Sequence, residues 1–144
     1  MKREETIDYN IKAAWHAISR MYNQQAVKNN ITTSIGFVLI NIHSEHGTPA
    51  TKIAPMMGLE SRSLTRMLKS MEEKGLIYKM PDPDDKRSVR IYLTEEGKIK
   101  KAISVTTVLK FNEVIYSKID SKKLKTFFEV IQNINEIIET NIYD

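Results

Sequence analysis

The chain has 144 residues, of which 41% are hydrophobic and 28% charged, and its formal net charge is +4. This length suits one ordinary domain and is short for two. There is no cysteine, which excludes disulfides, thiol chemistry and cysteine-ligated zinc. No apolar run approaches the roughly 20 residues that span a bilayer, and the N-terminus lacks a signal-peptide core. The composition therefore predicts a soluble, cytoplasmic protein with no membrane partner.

The first two predicted elements are amphipathic helices. Apolar residues recur at helical spacing over residues 7–27, namely at Ile7, Ile11, Ala14, Trp15, Ile18, Met21 and Tyr22. The stretch "NNITTS" interrupts this pattern, and Thr32 or Thr33 is expected to cap the next helix. Helical register then continues to Ile42, and Gly47 is expected to supply the left-handed turn that ends the second helix.

The stretch "TPATKIAPMMG" predicts a short third helix. Thr48 is expected to cap it, Pro49 to occupy its first position and Gly58 to end it. Pro55 lies inside this stretch, where it removes a hydrogen-bond donor and clashes one turn back. The helix is therefore expected to be kinked or very short.

The stretch "SRSLTRMLKSMEEKG" predicts a longer, strongly amphipathic helix. Its buried stripe consists of Leu64, Met67, Leu68 and Met71. Gly75 is expected to end it, and Ser61 or Ser63 to cap its start. The side chains expected to point outward are Arg62, Ser63, Thr65, Arg66 and Lys69.

Two short runs of alternating hydrophobicity, "LIYKM" and "SVRIYL", predict an antiparallel hairpin. The residues expected on one side of its second strand are Val89, Ile91 and Leu93. The connection between the runs is seven residues long, and its Pro and Asp residues favour turns over further pairing. We expect its three acids to lie at an exposed tip, at Asp82, Asp84 and Asp85.

Two more helices complete the chain. Thr94 followed by Glu95 and Glu96 resembles a helix start, because acids are favourable at the positive end of the helix dipole. This helix is expected to run to about Lys118. A final amphipathic helix is predicted over 120–142.

This order of elements predicts a mainly α (α+β) fold, a winged helix-turn-helix with a small antiparallel β-hairpin wing. The terminal helices carry wide apolar stripes that so small a core cannot cover, so we expect them to form a homodimer. The prediction is one domain over residues 1–144, with a DNA-binding part at about 31–94. The dimerisation helices would cover about 5–27 and about 95–142.

A basic segment marks the expected DNA-binding surface. Nine Lys/Arg lie between Lys52 and Arg90, against six Asp/Glu. Asp85 is expected to orient Arg87, or to pair with a neighbouring cation such as Arg66. The candidate DNA-binding residues are Lys52, Ser61, Arg62, Ser63, Thr65, Arg66, Lys69, Asp85, Lys86, Arg87 and Arg90. A dimer of such modules would bind two half-sites of a pseudo-palindromic duplex about one helical turn apart.

Two of these stretches together resemble the MarR family of bacterial transcriptional regulators. "TKIAPMMGLESRSLTRMLKSMEEKGLI" is similar to the family's helix-turn-helix, and "DPDDKRSVRIYLTEEG" resembles its wing signature. The resemblance implies a DNA-binding regulator, commonly a repressor, that acts as a homodimer and often binds a small aromatic effector. It also places Asp85 and Arg87 on the family's paired wing residues. Two departures are Asp84, where the family commonly has Arg, and Pro55 in the short helix.

Other functions remain as alternatives. The same fold could serve only protein contacts, its basic face binding an acidic partner. A metal-dependent enzyme or metal sensor would need ligands, and His43 and His46 lie close in sequence, but no third ligand can be named. No nucleophile set or phosphate-binding loop is present, and no cofactor or metal is predicted. Trp15 and Tyr22 could line an effector pocket or belong to the core.

Overall fold

The computed structural model describes residues 1–143 and contains six α-helices and three strands. In chain order the elements are α1 Ile7–Lys28, α2 Thr33–Ile40, β1 Thr48–Pro49, α3 Ala50–Met57, α4 Ser61–Glu73, β2 Ile77–Pro81, β3 Val89–Leu93, α5 Glu95–Lys118 and α6 Ser121–Glu139. A single 3₁₀ turn, Arg3–Glu5, precedes α1. The chain forms two compact units, Met1–Thr107 and Val108–Asp144. Within residues 1–143 no helix has the length and apolar character needed to cross a membrane.

The sheet has three antiparallel strands in the order β1-β3-β2, one more than the predicted hairpin. In the hairpin, Ile77 pairs with Leu93 and Pro81 with Val89, so the connecting loop is the predicted seven residues long. β1 adds a two-residue edge, in which Thr48 pairs with Ile91. The third strand was not foreseen because two residues, one of them proline, give no alternating pattern.

The link between α2 and β1 differs from the prediction. Thr32 caps α2 as expected, since its Oγ1 accepts a hydrogen bond from the Ile35 backbone N–H (3.1 Å). The helix ends earlier, at Ile40, and the prediction that Gly47 ends it is wrong. Gly47 instead closes a separate turn, donating from its backbone N–H to the His43 carbonyl (3.0 Å). It has a φ of +66°, and a Cβ there would lie 2.5 Å from the Ile91 carbonyl oxygen, so only glycine fits.

The predicted roles of Thr48 and Pro49 at the start of α3 are also wrong. Thr48 lies in β1, and its Oγ1 accepts from the His43 N–H (2.9 Å) instead of capping a helix. Pro49 is the residue before α3, and α3 begins at Ala50. The helix is short, as Pro55 predicts, and it ends at Gly58 with a φ of +63°, as expected.

The core of the first unit contains the inner face of α4. Leu64, Leu68 and Met71 are buried there, as the helical pattern predicts, whereas Met67 is partly buried at the edge of the core. The other buried apolar side chains of this core are Ala26, Ile31, Ile35, Val38, Leu39, Ile42, Ile53, Ala54, Leu76, Ile77, Ile91 and Leu93. Buried residues from α2, α3, α4 and the sheet therefore hold the helix-turn-helix pair and the hairpin as one body.

The start of α4 differs from the prediction in one detail, whereas its end agrees with the prediction. Glu60 precedes the helix without a side-chain cap, so the expectation that Ser61 or Ser63 caps it is wrong. Gly75, with a φ of +72°, follows the last turn as predicted. The Leu76 N–H then bonds back to the Met71 carbonyl (3.0 Å), which satisfies an otherwise unpaired helix carbonyl.

The last two helices follow the prediction closely. Thr94 Oγ1 accepts from the Gly97 N–H (3.0 Å) and caps α5. Asp120 Oδ1 accepts from the Lys122 N–H (2.7 Å) and caps α6, which ends at Glu139, three residues short of the predicted end. α6 leaves several large apolar side chains exposed, namely Phe127, Phe128, Val130, Ile137 and Ile138. Those exposed on α1 are Ile7, Ile11, Trp15 and Val27.

Candidate nucleic-acid interface

The outer face of α4 carries a row of three cations. Arg62, Arg66 and Lys69 are exposed and lie opposite the buried stripe, because residues two and five positions from Leu64 point away from it at 100° per residue. The row runs from Arg62 to Lys69, seven helical steps of about 1.5 Å, or about 10 Å of helix. Ser61, Ser63 and Thr65 flank it, and all three are exposed.

These three cations have no acidic partner within the described chain. Among residues 1–143, no ion pair or side-chain hydrogen bond involves Arg62, Arg66 or Lys69. The same holds for Lys52, exposed on α3, and for Lys86, exposed in the loop between β2 and β3. A row of unpaired cations at this spacing is suited to binding an extended anion.

The loop Asp82–Ser88, here called the wing loop, is held by short hydrogen bonds between its own residues. The Asp82 N–H donates to the Ser88 carbonyl (3.0 Å), and the Ser88 N–H donates to the Asp85 carbonyl (2.9 Å). Asp82 Oδ1 also accepts from the Asp84 N–H (2.9 Å). Aspartate turns of this kind fix the backbone without further strand pairing. The wing loop is therefore a defined projection of the hairpin.

Asp85 contacts Arg87 in two ways. Its Oδ1 accepts from the Arg87 backbone N–H (3.0 Å) and lies 3.3 Å from the Arg87 Nε. Asp85 therefore contacts the guanidinium of Arg87 through Nε alone. The Arg87 side chain is 93% exposed, so the other two guanidinium nitrogens face solvent. Two partners were predicted for Asp85, namely Arg87 and Arg66. Among residues 1–143 Asp85 forms an ion pair with Arg87 and not with Arg66.

Asp82 does not lie at an exposed tip, and that prediction is wrong. Its side chain is 6% exposed, and its Oδ2 lies 3.9 Å from Nε of Arg90, whose side chain is 19% exposed. Arg90 therefore lies at the base of the wing, paired with an acid, rather than on the free surface. The structural role of Asp82 was missed, although the Asp-Pro-Asp spacing is a sequence signal for such a turn.

The two histidines stack on each other. The rings of His43 and His46 lie 4.8 Å apart at 14°, and His43 Nδ1 accepts from the backbone N–H groups of Glu45 (3.2 Å) and His46 (3.0 Å). This nitrogen is thus used within the turn. Over residues 1–143 no three His, Asp or Glu side chains come together in a group that could hold a metal ion.

The aromatic residues of α1 and α2 form a small cluster. Phe37 lies 5.9 Å from the buried Tyr22 and 6.2 Å from Trp15, measured between ring centroids. Burial raises the pKa of Tyr22 above 10.0. Trp15 is 51% exposed, so of the two residues considered for the core, Tyr22 belongs to it and Trp15 lies at its edge.

The helix-turn-helix pair, the three-stranded sheet and the projecting wing loop define a winged-helix protein. A model of the MarR family matches residues 31–89. Over 129 residues the chain is 32% identical to the organic hydroperoxide resistance transcriptional regulator of Bacillus subtilis, covering 88% of this chain and 86% of the relative. The chain belongs to the MarR family of transcriptional regulators.

Two solved structures agree with this fold. The S. aureus MepR-DNA complex superposes with a TM-score of 0.84 at 19% identity, covering 92% of this chain and 98% of MepR. The PcaV transcriptional regulator of Streptomyces coelicolor, solved in complex with its natural ligand, gives a TM-score of 0.79 at 18% identity and covers 94% and 96% of the two chains. The predicted winged helix-turn-helix with a hairpin wing is confirmed.

Proposed function

We propose that this chain is a sequence-specific regulator of transcription that binds double-stranded DNA as a homodimer. The observation that carries the proposal is the row of exposed cations Arg62, Arg66 and Lys69 on the outer face of α4, which form no ion pair among residues 1–143. A helix of this diameter fits the major groove, where arginine reads guanine through two hydrogen bonds. The role is a non-catalytic one, performed in the cytoplasm where bacterial DNA lies.

In this proposal the wing extends the contact beyond the major groove. Arg87, held by Asp85, would bind a phosphate or enter the neighbouring minor groove, with Lys86 beside it. Lys52 and the hydroxyls of Ser61 and Ser63 would contact the DNA backbone. The Thr65 hydroxyl donates to the Ser61 carbonyl (2.8 Å) and would have to turn away from it to do the same. Arg90 is the weakest candidate of the predicted set, because it is largely buried against Asp82.

The homodimer would use residues about 5–27 and about 95–142, with 31–94 as the DNA-binding part. Its support is the exposed apolar surface of α6, including Phe127 and Phe128, and of α1, including Ile7 and Ile11. A helix that leaves this many large apolar side chains exposed presents a candidate surface for protein–protein contact. Light scattering at micromolar concentration should give the mass of two chains, and Phe127→Glu should lower it. A monomeric parent protein would refute this part.

DNA binding is tested by selection from a pool of random 40-base-pair duplexes. The proposal expects enrichment of a pseudo-palindrome with half-site centres about one turn, ~10 base pairs, apart. Arg62→Ala and Arg66→Ala should each weaken binding to the enriched duplex. No enrichment, together with no binding of any duplex at low salt, would favour the protein-interaction alternative.

A small aromatic effector is the remaining part of the proposal. The half-exposed ring of Trp15, beside Phe37, offers a surface on which an aromatic molecule can stack. Trp15 is the single tryptophan, so its fluorescence reports binding directly. Quenching of Trp15 by an aromatic carboxylate that also releases the enriched duplex would support this part, whereas release without any change at Trp15 would place the effector elsewhere.

The B. subtilis relative is named for organic hydroperoxide resistance. The present chain has no cysteine, so a response through thiolate oxidation is unavailable to it. An effector that binds without covalent chemistry is therefore the form of control that we propose.

A further inference from the structure

Lys101 of α5 and Thr48 of β1 hold opposite sides of one peptide group. The Lys101 ammonium donates a hydrogen bond to the Ile42 carbonyl oxygen (2.6 Å). The N–H of the same peptide group, that of His43, donates to Thr48 Oγ1 (2.9 Å). Hydrogen bonds that share a peptide group polarise each other, and the ammonium charge strengthens the first of them. We call this chain of contacts the Lys101 relay.

The Lys101 relay connects α5 to both DNA-binding elements. Thr48 pairs with Ile91 in β3, which is a strand of the wing. β1 also runs directly into α3, which begins at Ala50 and leads to α4. Of the residues in the relay, Ile42 is fully buried and Thr48 is buried, whereas Lys101 is partly buried and His43 is exposed. The relay therefore adds a hydrogen-bonded link between α5 and the point where β1 leads into α3.

A lysine at this position loses part of its hydration in the fold. Lys101 is partly buried, and burial lowers its pKa below 10.5. Removing an ammonium from water is unfavourable, and a methionine would bury a similar stem without that cost. The ammonium supplies something that an apolar side chain lacks, a charged donor that holds the Ile42 carbonyl in one place.

We propose that Lys101 is a positioning residue for DNA binding. Through the relay it sets the helix-turn-helix pair and the wing in one arrangement, so that the outer face of α4 and Arg87 reach the same duplex together. Lys101 itself contacts no DNA. The proposal rests on the proposed function, because it assigns the relay a part in DNA binding.

The neighbouring residue offers a matched control. Lys100 Nζ donates to the Asn29 carbonyl oxygen (2.8 Å) and lies 3.6 Å from Glu96 Oε1. It is also a partly buried lysine on α5 that holds a backbone carbonyl. Asn29 is the C-terminal cap of α1, and its contact with Lys100 does not lead into β1. Replacing Lys100 therefore removes an equivalent hydrogen bond that lies outside the relay.

The test compares Lys101→Met, Lys101→Arg and Lys100→Met with the parent chain. Affinity is measured on the duplex that the parent enriches from the random pool. Lys101→Met should weaken binding by up to about tenfold, the factor by which losing one charge-assisted hydrogen bond can depopulate the arrangement that binds DNA. Lys101→Arg keeps a charged donor and should restore most of the affinity, and Lys100→Met should change it less than about twofold. Equal losses in the two methionine variants would overturn the proposal, because they would indicate general destabilisation.

A second measurement examines the relay without DNA. The amide proton of His43 should exchange with solvent several times faster in Lys101→Met than in the parent, and unchanged exchange would show that the relay does not hold this peptide. Lys100→Met should leave the exchange of His43 unaffected. A parent chain that binds no duplex would overturn both the proposed function and the positioning role. The exchange of His43 would still report on the relay.

Discussion

Replacing Asp85 with asparagine separates two views of the acidic wing loop. In the first view, Asp85 orients Arg87 toward DNA; in the second, its charge simply repels phosphate. Asparagine keeps an oxygen that can accept from the Arg87 backbone N–H, which lies 3.0 Å away, so the turn should survive. The change removes the charge that faces Arg87 Nε at 3.3 Å. The two views therefore predict opposite signs for the change in affinity.

The magnitude follows from the exposure of the pair. The Arg87 side chain is 93% exposed, and exposed ion pairs are worth about 0.2–1 kcal/mol. Losing the orientation should therefore weaken DNA binding by about 1.4- to 5-fold for each wing. An arginine side chain also has about 2 kcal/mol of rotamer entropy, so an Arg87 that Asp85 does not restrain would lose more conformational entropy when it binds DNA. Simple repulsion predicts tighter binding instead, most clearly at low salt.

The assay is a titration of a labelled duplex by fluorescence anisotropy at two salt concentrations. Asp84→Asn is the control, because the Asp84 carboxylate forms no ion pair within residues 1–143 and its loss should tighten binding under either view. Weaker binding by Asp85→Asn beside tighter binding by Asp84→Asn supports the orienting role. Tighter binding by both variants would refute it.

Three further outcomes are expected. Arg66→Ala should cost about 1–3 kcal/mol on the enriched duplex and much less on unrelated DNA, measured by the same titration, and equal losses would make Arg66 a backbone contact. Gly47→Ala should lower the free energy of unfolding in urea more than Gly58→Ala does. Both glycines have a positive φ, but of the two only Gly47 has a neighbour that an added Cβ would meet, the Ile91 carbonyl oxygen at 2.5 Å. Equal losses of unfolding free energy in the two variants would contradict this packing. Burial raises the pKa of Tyr22, so the unfolded chain loses this proton first, and the free energy of unfolding should fall as the pH rises above 10.0. Absorbance titration should find a tyrosine ionisation with a raised pKa in the parent chain, and this component should be missing in Tyr22→Phe.

The local features of the fold were predictable because their causes lie close together in sequence. The buried stripe of α4 follows from a spacing of three and four residues, and Leu64, Leu68 and Met71 are buried as expected. Gly58 and Gly75 end helices in the left-handed conformation that a glycine adopts without strain. The outward face of α4 follows from the same periodicity, so its cations could be named from the sequence.

The features that escaped prediction depend on partners distant in sequence. Thr48 was expected to cap a helix, and it instead pairs with Ile91 because the fold brings β3 beside it. Asp82 is buried because Arg90 returns to it across the hairpin. Lys101 lies 59 residues from the carbonyl that it holds, and no local pattern marks that contact.

The measurement that tests the central claim most directly is the salt dependence of DNA affinity in the parent and in Arg87→Ala. If the outer face of α4 and the wing bind phosphates, log affinity should fall linearly with log salt, by about 0.9 for each phosphate contacted. Arg87→Ala should weaken binding and make this slope shallower by about one for each wing. Binding that is independent of salt, or a slope and affinity that Arg87→Ala leaves unchanged, would contradict the account.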